Sequence, residues 1–205
     1  MIRNTVRARF HTVYWNEPAM PPGPVIFICT HHGWHDGYLM FHAITKLKKV
    51  SVDWIQEFDS FPQFAKIGGM PFPLDRPEVR FKTIRETIRL MKSGTSLVLF
   101  AEQQLHRPPE ILPLGGAIEL IQKAVPDLTL IPVGIYYELS MHERPEAILH
   151  FGEAIKQDQD PRDGLVAALE IARSRANMIP ELPVLVHGTK DVNERWDMRS
   201  KFGKK

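Results

Sequence analysis

The chain has 205 residues and a mass of 23.5 kDa; it is 43% hydrophobic and 24% charged, with a formal net charge of +2. This composition excludes a disordered or fibrous chain, and the small net charge gives no reason to expect nucleic acid as a partner. Cys29 is the only cysteine, which excludes an internal disulfide and a cysteine-based zinc site. No apolar run approaches the roughly 18 residues of a spanning helix, and no secretory signal is recognisable. We therefore expect a single cytoplasmic domain over residues 1–205.

Apolar runs and amphipathic repeats alternate along the chain. Val25–Cys29 is continuously apolar, as in a strand that is buried on both faces. A helix is predicted over residues 36–47, because an acidic residue opens this segment and lysines close it. A second helix begins at Pro77, where apolar residues recur at helical spacing until Gly94 ends it.

The second half of the chain repeats this alternation. Further strands are predicted at residues 96–101, 130–137 and 147–151, and further helices at residues 117–124 and 163–176. The order predicts an α/β domain with a largely parallel sheet flanked by helices. Ligands of such sheets bind beyond the carboxyl ends of the strands, which directs attention to the residues that follow each buried strand.

Three histidines and an aspartate follow the first buried strand: His31, His32, His35 and Asp36. A carboxylate bonded to one ring nitrogen fixes the tautomer of an imidazole and leaves the other nitrogen free to take a proton from a hydroxyl. The turn between His31 and Asp36 allows this contact, so the pair predicts a general base, worth about 10²- to 10⁴-fold in rate. No Gly-x-Ser-x-Gly elbow is present and Cys29 lies in an apolar run, so the base would act directly on a substrate hydroxyl.

The same cluster leaves a second interpretation open. His31, His32, His35 and Asp36 are all metal-ligand types and could serve a metal-dependent hydrolase. Against this, adjacent residues on a short turn rarely converge on one ion, and the spacing is not that of His-Glu-x-x-His. Structural roles are also open, because Asp36 is suited to cap the helix that follows it.

Four segments together resemble the glycerolipid acyltransferases, the lysophosphatidic acid acyltransferase-like enzymes with an H-x4-D motif. Residues 31–36 match that motif, and residues 68–76 resemble the second block, in which a glycine and an aromatic lead to an arginine. Residues 97–102 resemble the third block, a strand that ends in Phe-Pro-Glu-Gly, and residues 130–133 resemble the fourth, an apolar strand with a proline. The resemblance runs from about residue 24 to residue 155.

The resemblance implies transfer of a fatty acyl group from a thioester, on coenzyme A or acyl carrier protein, to the hydroxyl of a lipid acceptor, without a metal or further cofactor. It implies that His31 is the general base and Asp36 its orienting partner. Arg76 would bind the acceptor's phosphate, a task suited to a planar, permanently charged group. Gly69 would let the chain pass close to the substrate, and Glu102 would help to hold the acceptor.

The sequence departs from the family pattern at several positions. Ala101 and Gln103 stand where the third block has proline and glycine, and Gly33 stands where many members have serine. Trp34 and Gly37 resemble a branch that acylates glycosylated carotenoids and other non-phosphorylated lipids. The acceptor is therefore open between 1-acylglycerol-3-phosphate, by family frequency, and a glycolipid or carotenoid type. A catalytically inactive lipid- or acyl-thioester-binding protein is the remaining alternative, because the third block is altered.

The two ends of the chain are predicted to be accessory segments. Residues 1–20 are interpreted as a basic arm and residues 178–205 as a carboxyl-terminal appendage. Basic and apolar side chains in the arm could form a peripheral contact with the cytoplasmic face of a membrane, although a solvated arm fits equally well. The side chains concerned are Arg3, Arg7, Arg9, Ile2, Val6 and Phe10.

Overall fold

The computed structural model describes residues 2–156 and 158–196, and this part contains one eight-stranded sheet flanked by helices. The strands are β1 (Thr12–Trp15), β2 (Val25–Cys29), β3 (Ser51–Ile55), β4 (Gly69–Pro71), β5 (Ser96–Leu99), β6 (Thr129–Glu138), β7 (Glu146–Phe151) and β8 (Val184–His187). The α-helices are α1 (Ile2–Arg9), α2 (Asp36–Lys46), α3 (Pro77–Lys92), α4 (Ala117–Ala124), α5 (Pro161–Ser174) and α6 (Val192–Trp196). Short 3₁₀ helices cover Phe58–Ser60, Pro62–Ile67 and Arg175–Glu181.

The strands follow the order β4-β3-β5-β2-β6-β7-β1-β8 across the sheet. Five of the seven pairings within the described residues are parallel, and the pairs β6–β7 and β1–β8 are antiparallel. The predicted α/β domain with a largely parallel sheet is therefore confirmed. Because parallel strands need crossover connections, helices cover both faces and bury the central strands.

β2 lies at the centre of the sheet between β5 and β6, and all five of its residues are fully buried. Alternate side chains of a strand point to opposite faces. The odd-numbered residues of β2 pack in a core with α2, and the even-numbered residues pack in a second core with residues of α3, α4 and α5. Each such side chain stabilises the fold by about 1.5–3 kcal/mol when buried. β2 is thus a rigid support for the loop that follows it.

The predicted helices form with small changes at their ends. α2 begins at Asp36 as predicted and ends one residue earlier, at Lys46. α3 begins at Pro77, and Gly94 just after it has a left-handed φ of +93°, a conformation that glycine adopts at low cost. α5 begins two residues before the predicted start, because the Asp160 side chain accepts a hydrogen bond of 2.9 Å from the Arg162 N–H and caps the helix there.

The prediction that residues 1–20 form an arm is wrong, because this segment belongs to the folded core. β1 pairs with β7 on one side and β8 on the other. Val6 and Phe10, which one of the two interpretations placed against a membrane, are buried in the core that contains α2. Burial of these two apolar side chains stabilises the domain and removes them from any contact with a membrane.

The first part of the predicted carboxyl-terminal appendage (residues 178–205) also belongs to the folded domain. β8 extends the sheet beyond β1, and Thr189 and the backbone near it bind the side chain of Arg144. Residues 197–205 of the predicted appendage lie outside the described residues. Within residues 2–156 and 158–196, no helix combines the length and the apolarity needed to cross a bilayer.

Candidate active site

The loop after β2 is attached to β6 by hydrogen bonds from one buried threonine. The Thr30 N–H donates to the Val133 carbonyl (3.1 Å), and the Thr30 hydroxyl accepts from the Ile135 N–H (3.0 Å). These bonds continue the β2–β6 pairing by one residue beyond the strand. They place His31 at the carboxyl edge of the sheet, where ligands of α/β domains bind.

His31 and Asp36 are in contact, as predicted from their spacing. The His31 Nδ1 lies 3.1 Å from the Asp36 Oδ2, and Asp36 is fully buried at the first position of α2. The same carboxylate accepts hydrogen bonds from the Gly33 N–H (2.9 Å) and from the Tyr137 hydroxyl. A carboxylate only accepts, so His31 donates from Nδ1, and its Nε2 is left free to take a proton.

The sequence analysis missed Tyr137, which lies 101 residues from Asp36 in the chain. Burial, and then the charge of Asp36, hold the pKa of the Tyr137 hydroxyl well above its usual value, so this group remains a hydrogen-bond donor. The one feature of the sequence that could have indicated a side chain packed against this loop is the glycine at position 33. A Cβ on Gly33 would overlap the hydroxyl and ring of Tyr137, so the glycine leaves the space that the tyrosine occupies.

Glu102 lies behind the loop rather than in the wall of the neighbouring cavity. It is buried, and its Oε1 accepts a hydrogen bond of 3.1 Å from the His31 backbone N–H. Its Oε2 contacts the His106 Nε2 (2.6 Å) and accepts from the Leu112 N–H (2.7 Å). The arrangement positions the backbone of His31, and the predicted role of Glu102 in helping to hold the acceptor stays a prediction.

A cavity of about 700 Å³ opens beside His31, a volume typical of small-molecule sites. His31 is 27% exposed and lines this cavity, and its ring lies 4.5 Å from that of Phe100, centre to centre. The walls are mostly apolar and come from α2, β3, α3 and the segment between β3 and β4, with further residues from β4, β5, α4 and the chain between β5 and α4. Aromatic and aliphatic lining residues include Trp54, Ile55, Phe61, Phe64, Phe72 and Ile84.

Of the two site residues predicted from the second sequence block (residues 68–76), only one lines the cavity. Gly69 lines it, at the start of β4, and a Cβ there would lie 2.7 Å from the Ile55 Cδ1. Arg76 does not line the cavity, because its Nη2 is bonded to the Asp59 Oδ2 at 2.6 Å on the exposed surface. Arg80, one helical turn later, does line it, and its buried Nε has no hydrogen-bond partner within the described residues.

Asp53 is a second polar group in the cavity wall that sequence analysis did not identify. Its buried Oδ1 has no hydrogen-bond partner in the described part of the chain. Its Oδ2 lies 3.6 Å from where a Cβ on Gly37 would be, so the carboxyl lies beside the first turn of α2. Burial raises the pKa of Asp53 to about 7. The protonated form is therefore much more populated near neutral pH than it is for an exposed aspartate.

The four residues of the alternative metal site do not converge. The His35 ring packs edge-on against Phe10, with 5.4 Å between ring centres, and the His32 Nε2 lies 3.1 Å from the Glu110 carbonyl. Within the described residues, no group of ligand atoms that could hold a metal combines members of this set. The dyad of His31 and Asp36 can instead act as a general base beside an apolar cavity, which is what acyl transfer to a hydroxyl requires.

Comparisons with known proteins agree with this chemistry. The sequence profile of the acyltransferase family matches residues 11–136. The crystal structure of the 1-acyl-sn-glycerophosphate (LPA) acyltransferase PlsC from Thermotoga maritima has a similar fold, with a TM-score of 0.51 and 15% identity. That match covers 80% of this chain and 70% of the PlsC chain. No curated protein sequence matches this chain. Because the family profile spans more than half of its residues, the chain belongs to the acyltransferase family.

Proposed function

We propose that this chain transfers a fatty acyl group from an acyl-CoA or acyl-carrier-protein thioester to a hydroxyl of a lipid acceptor, with no further cofactor. The observation that carries the proposal is the dyad of His31 and Asp36 at the mouth of the apolar cavity. Family membership supports acyl transfer in general. The dyad and the cavity support this particular donor and acceptor chemistry.

The dyad supports a direct transfer. The His31 Nε2 takes the proton of the acceptor hydroxyl as its oxygen attacks the thioester carbonyl carbon. The C–S bond then breaks, and the departing sulfur takes the proton from the imidazolium. Asp36 holds the ring in the required tautomer and stabilises its charged form. The aromatic and aliphatic walls of the cavity are suited to the acyl chain, because burial of apolar surface favours binding.

The acceptor we propose to test first is 1-acylglycerol-3-phosphate. Arg80 supports an anionic acceptor, because it lines the cavity and makes no ion pair in the described part of the chain. Arg76, which the family resemblance implied for this task, is occupied by Asp59. A glycolipid or carotenoid acceptor is the second candidate, and Asp53 supports it because a carboxyl group binds sugar hydroxyls well.

We further propose that the protein meets its lipids at a membrane surface through the rim of the cavity. Five large apolar side chains both line the cavity and are exposed: Trp34, Ile67, Phe81, Leu105 and Leu120. Trp34→Ala should weaken sedimentation with phosphatidylglycerol-containing vesicles. Trp196→Ala, at a tryptophan that is also exposed but does not line the cavity, should not. Equal effects of the two variants would contradict this role.

Release of free thiol from palmitoyl-CoA, and then from an acyl-carrier-protein thioester, tests the proposed reaction with a panel of acceptors. The wild type should release thiol only with an acceptor, and His31→Ala should lose about 10²-fold or more of the rate. His35→Ala, in the same loop but outside the dyad, is the matched control. Acceptor-independent release would indicate a hydrolase. Binding of the thioester without turnover, unchanged in the His31 variant, would indicate the inactive binding protein.

A further inference from the structure

A group of possible metal ligands lies directly behind the dyad loop. It comprises His32, Glu102 and His106, and one ligand atom from each lies within 4.8 Å of the other two. His32 and Glu102 are held at the carboxyl ends of β2 and β5, and His106 follows in the segment after β5. The group shares neither His31 nor Asp36, so it is distinct from the dyad.

Each histidine has a hydrogen bond on the side of its ring away from the group, and Glu102 is held by two backbone N–H groups. The His32 Nε2 bonds the Glu110 carbonyl (3.1 Å), and the His106 Nδ1 bonds the Arg107 carbonyl (3.1 Å). Glu102 accepts the backbone N–H groups of His31 and Leu112. Histidines that bind metals in proteins show this arrangement, in which the second ring nitrogen donates to a carbonyl or carboxylate and so fixes the tautomer.

These contacts leave one ligand-type lone pair exposed to the group and one proton that an ion could replace. A carbonyl only accepts, so His32 donates from Nε2, and its buried Nδ1 carries a lone pair with no partner among the described residues. A carboxylate also only accepts, so the His106 Nε2 donates to the Glu102 Oε2 at 2.6 Å in the metal-free protein. An ion would displace this proton and separate the two atoms to about 3.3 Å, the spacing of tetrahedral zinc ligands.

The geometry of the two rings also fits a shared ion. With Zn–N bonds of about 2.0–2.1 Å and tetrahedral angles, two imidazoles on one zinc have ring centres about 5 Å apart. The rings of His32 and His106 are 4.7 Å apart and nearly perpendicular, at 87°.

A second histidine pair in the molecule lacks this geometry. His11 and His142, with the buried Glu146, form another possible ligand group. Their rings are stacked in parallel, 3.4 Å apart with an angle of 5° between their planes. The lone pairs of parallel stacked rings lie in separate planes and do not converge on one ion.

We propose that His32, Glu102 and His106 bind one divalent transition-metal ion, with Zn²⁺ the ion of best fit. Two neutral imidazoles and a carboxylate match the ligand preferences of zinc and leave a fourth position for water.

The ion would fasten the segment after β5 to the loop that carries the general base. Glu102 holds the backbone N–H of His31, and the backbone N–H of His106 donates to the His31 carbonyl at 3.2 Å. Both contacts to His31 thus come from ligands of the proposed ion. Zinc would therefore stabilise the loop without taking part in proton transfer.

Calorimetric titration of chelator-treated protein with Zn²⁺ tests the site, with Co²⁺ absorption as a check of tetrahedral geometry. The wild type should bind one ion per chain. His32→Gln and His106→Gln should each weaken binding by more than about 100-fold, since changes to supporting residues alone cost about 10- to 100-fold. His142→Gln is the matched control and should bind zinc like the wild type. At about 100 times its Kd, zinc should raise the Tm of the wild type by about 5–10 °C.

Three outcomes would overturn the site. The first is no zinc binding by the wild type at micromolar concentrations. The second is binding that His142→Gln abolishes, and the third is binding that both His32→Gln and His106→Gln retain. These readouts do not involve acyl transfer, so a failure of the metal site and a failure of the proposed function are distinguishable.

Discussion

Two aspartates in the same site have opposite surroundings. Asp36 accepts hydrogen bonds from His31, from the Gly33 N–H and from the Tyr137 hydroxyl. Asp53, in the cavity wall beside the first turn of α2, has a buried oxygen without a partner in the described residues. The protein itself supplies partners to both oxygens of the first carboxylate but leaves one oxygen of the second without a partner among the described residues.

This difference in hydrogen bonding indicates different roles. Asp36 is used to position His31, whereas a polar atom without a partner in the protein is available to a ligand. Satisfying Asp36 fixes the orientation of His31 before any substrate binds, which lowers the cost of reaching the transition state. An unsatisfied buried polar atom costs about 1–3 kcal/mol unless a ligand pairs with it. Asp53 and Arg80 both carry such atoms, which makes them the polar groups best placed to contact the acceptor.

The largest expected effect is that of Gly33→Ala, which would displace Tyr137 from the dyad. The new Cβ would overlap the tyrosine side chain, and a displacement of about 1 Å at a catalytic group costs about 10²-fold. We expect kcat to fall about 100-fold in the thiol-release assay. The loss should be much smaller in a Tyr137→Ala background, because the obstructing ring is then absent. Wild-type activity in Gly33→Ala would show that Tyr137 can move without consequence.

Separate substitutions of Arg76 and Arg80 test which arginine binds an anionic acceptor. The sequence motif pointed to Arg76, whereas the cavity lining points to Arg80. Arg80→Gln should raise KM for an anionic acceptor by about 10- to 100-fold, the value of one hydrogen bond to a charged group. Arg76→Gln should change it less than about threefold, because exposed ion pairs such as that with Asp59 contribute little. The opposite ranking would restore Arg76 as the acceptor ligand.

Tyr137→Phe should have a moderate effect on kcat and none on KM. It removes one hydrogen bond to a charged carboxylate, so we expect about a tenfold lower kcat. KM should be unchanged because Tyr137 does not line the cavity. Tyr136→Phe is the matched control, since its hydroxyl has no bond to Asp36. A KM effect of the same size as the kcat effect would assign Tyr137 to substrate binding instead.

The smallest expected effect is that of Asp53→Asn on thermal stability. Its dependence on pH distinguishes Asp53 from carboxylates whose oxygens all have hydrogen-bond partners. The folded-state pKa of about 7 is above the ordinary aspartate value near 3.9, so the folded chain holds its proton more tightly than the unfolded chain. Stability should therefore fall as pH rises from about 4 to about 7. Asp53→Asn removes this loss, and its Tm should exceed that of the wild type by a few degrees at pH 8.

The control for Asp53 is a fully solvated aspartate. Asp75→Asn, at an exposed position beside Arg76, should leave Tm unchanged at both pH values. At pH 4, close to the unfolded-state pKa, most of the loss is absent, so the Tm of the Asp53 variant should lie much closer to that of the wild type than at pH 8. A gain for Asp53→Asn that is equal at pH 4 and pH 8 would contradict the shifted pKa as its cause.

Sequence reasoning succeeded where the partners are close in the chain. His31 and Asp36 are separated by one turn after a strand that is apolar throughout, so local geometry was enough to predict their contact. It failed for β1 and β8, which are four residues each and which pair with strands far away in the chain. Short strands have no periodicity long enough to separate them from a loop or an arm.

The site residues show the same contrast between partners that are close in the chain and partners that are distant. The block order predicted that Glu102 comes near His31, and the structure shows its carboxylate accepting the His31 backbone N–H. Its role in holding the acceptor stays a prediction. The motif led to Arg76, whereas the side chain in the cavity is that of Arg80, one turn later. The choice depended on Asp59, which binds Arg76 from a 3₁₀ helix that the sequence pattern did not predict.

The sequence by itself determined the α/β class, the buried central strand and the dyad, because hydrophobic periodicity and short-range spacing carry that information. The tertiary structure alone decided the partners that come from distant strands. Tyr137 reaches Asp36 across the β2–β6 pairing, and Asp53 and Arg80 meet the same cavity from β3 and α3. Such contacts depend on strand register and helix packing, which a pattern within one segment does not encode.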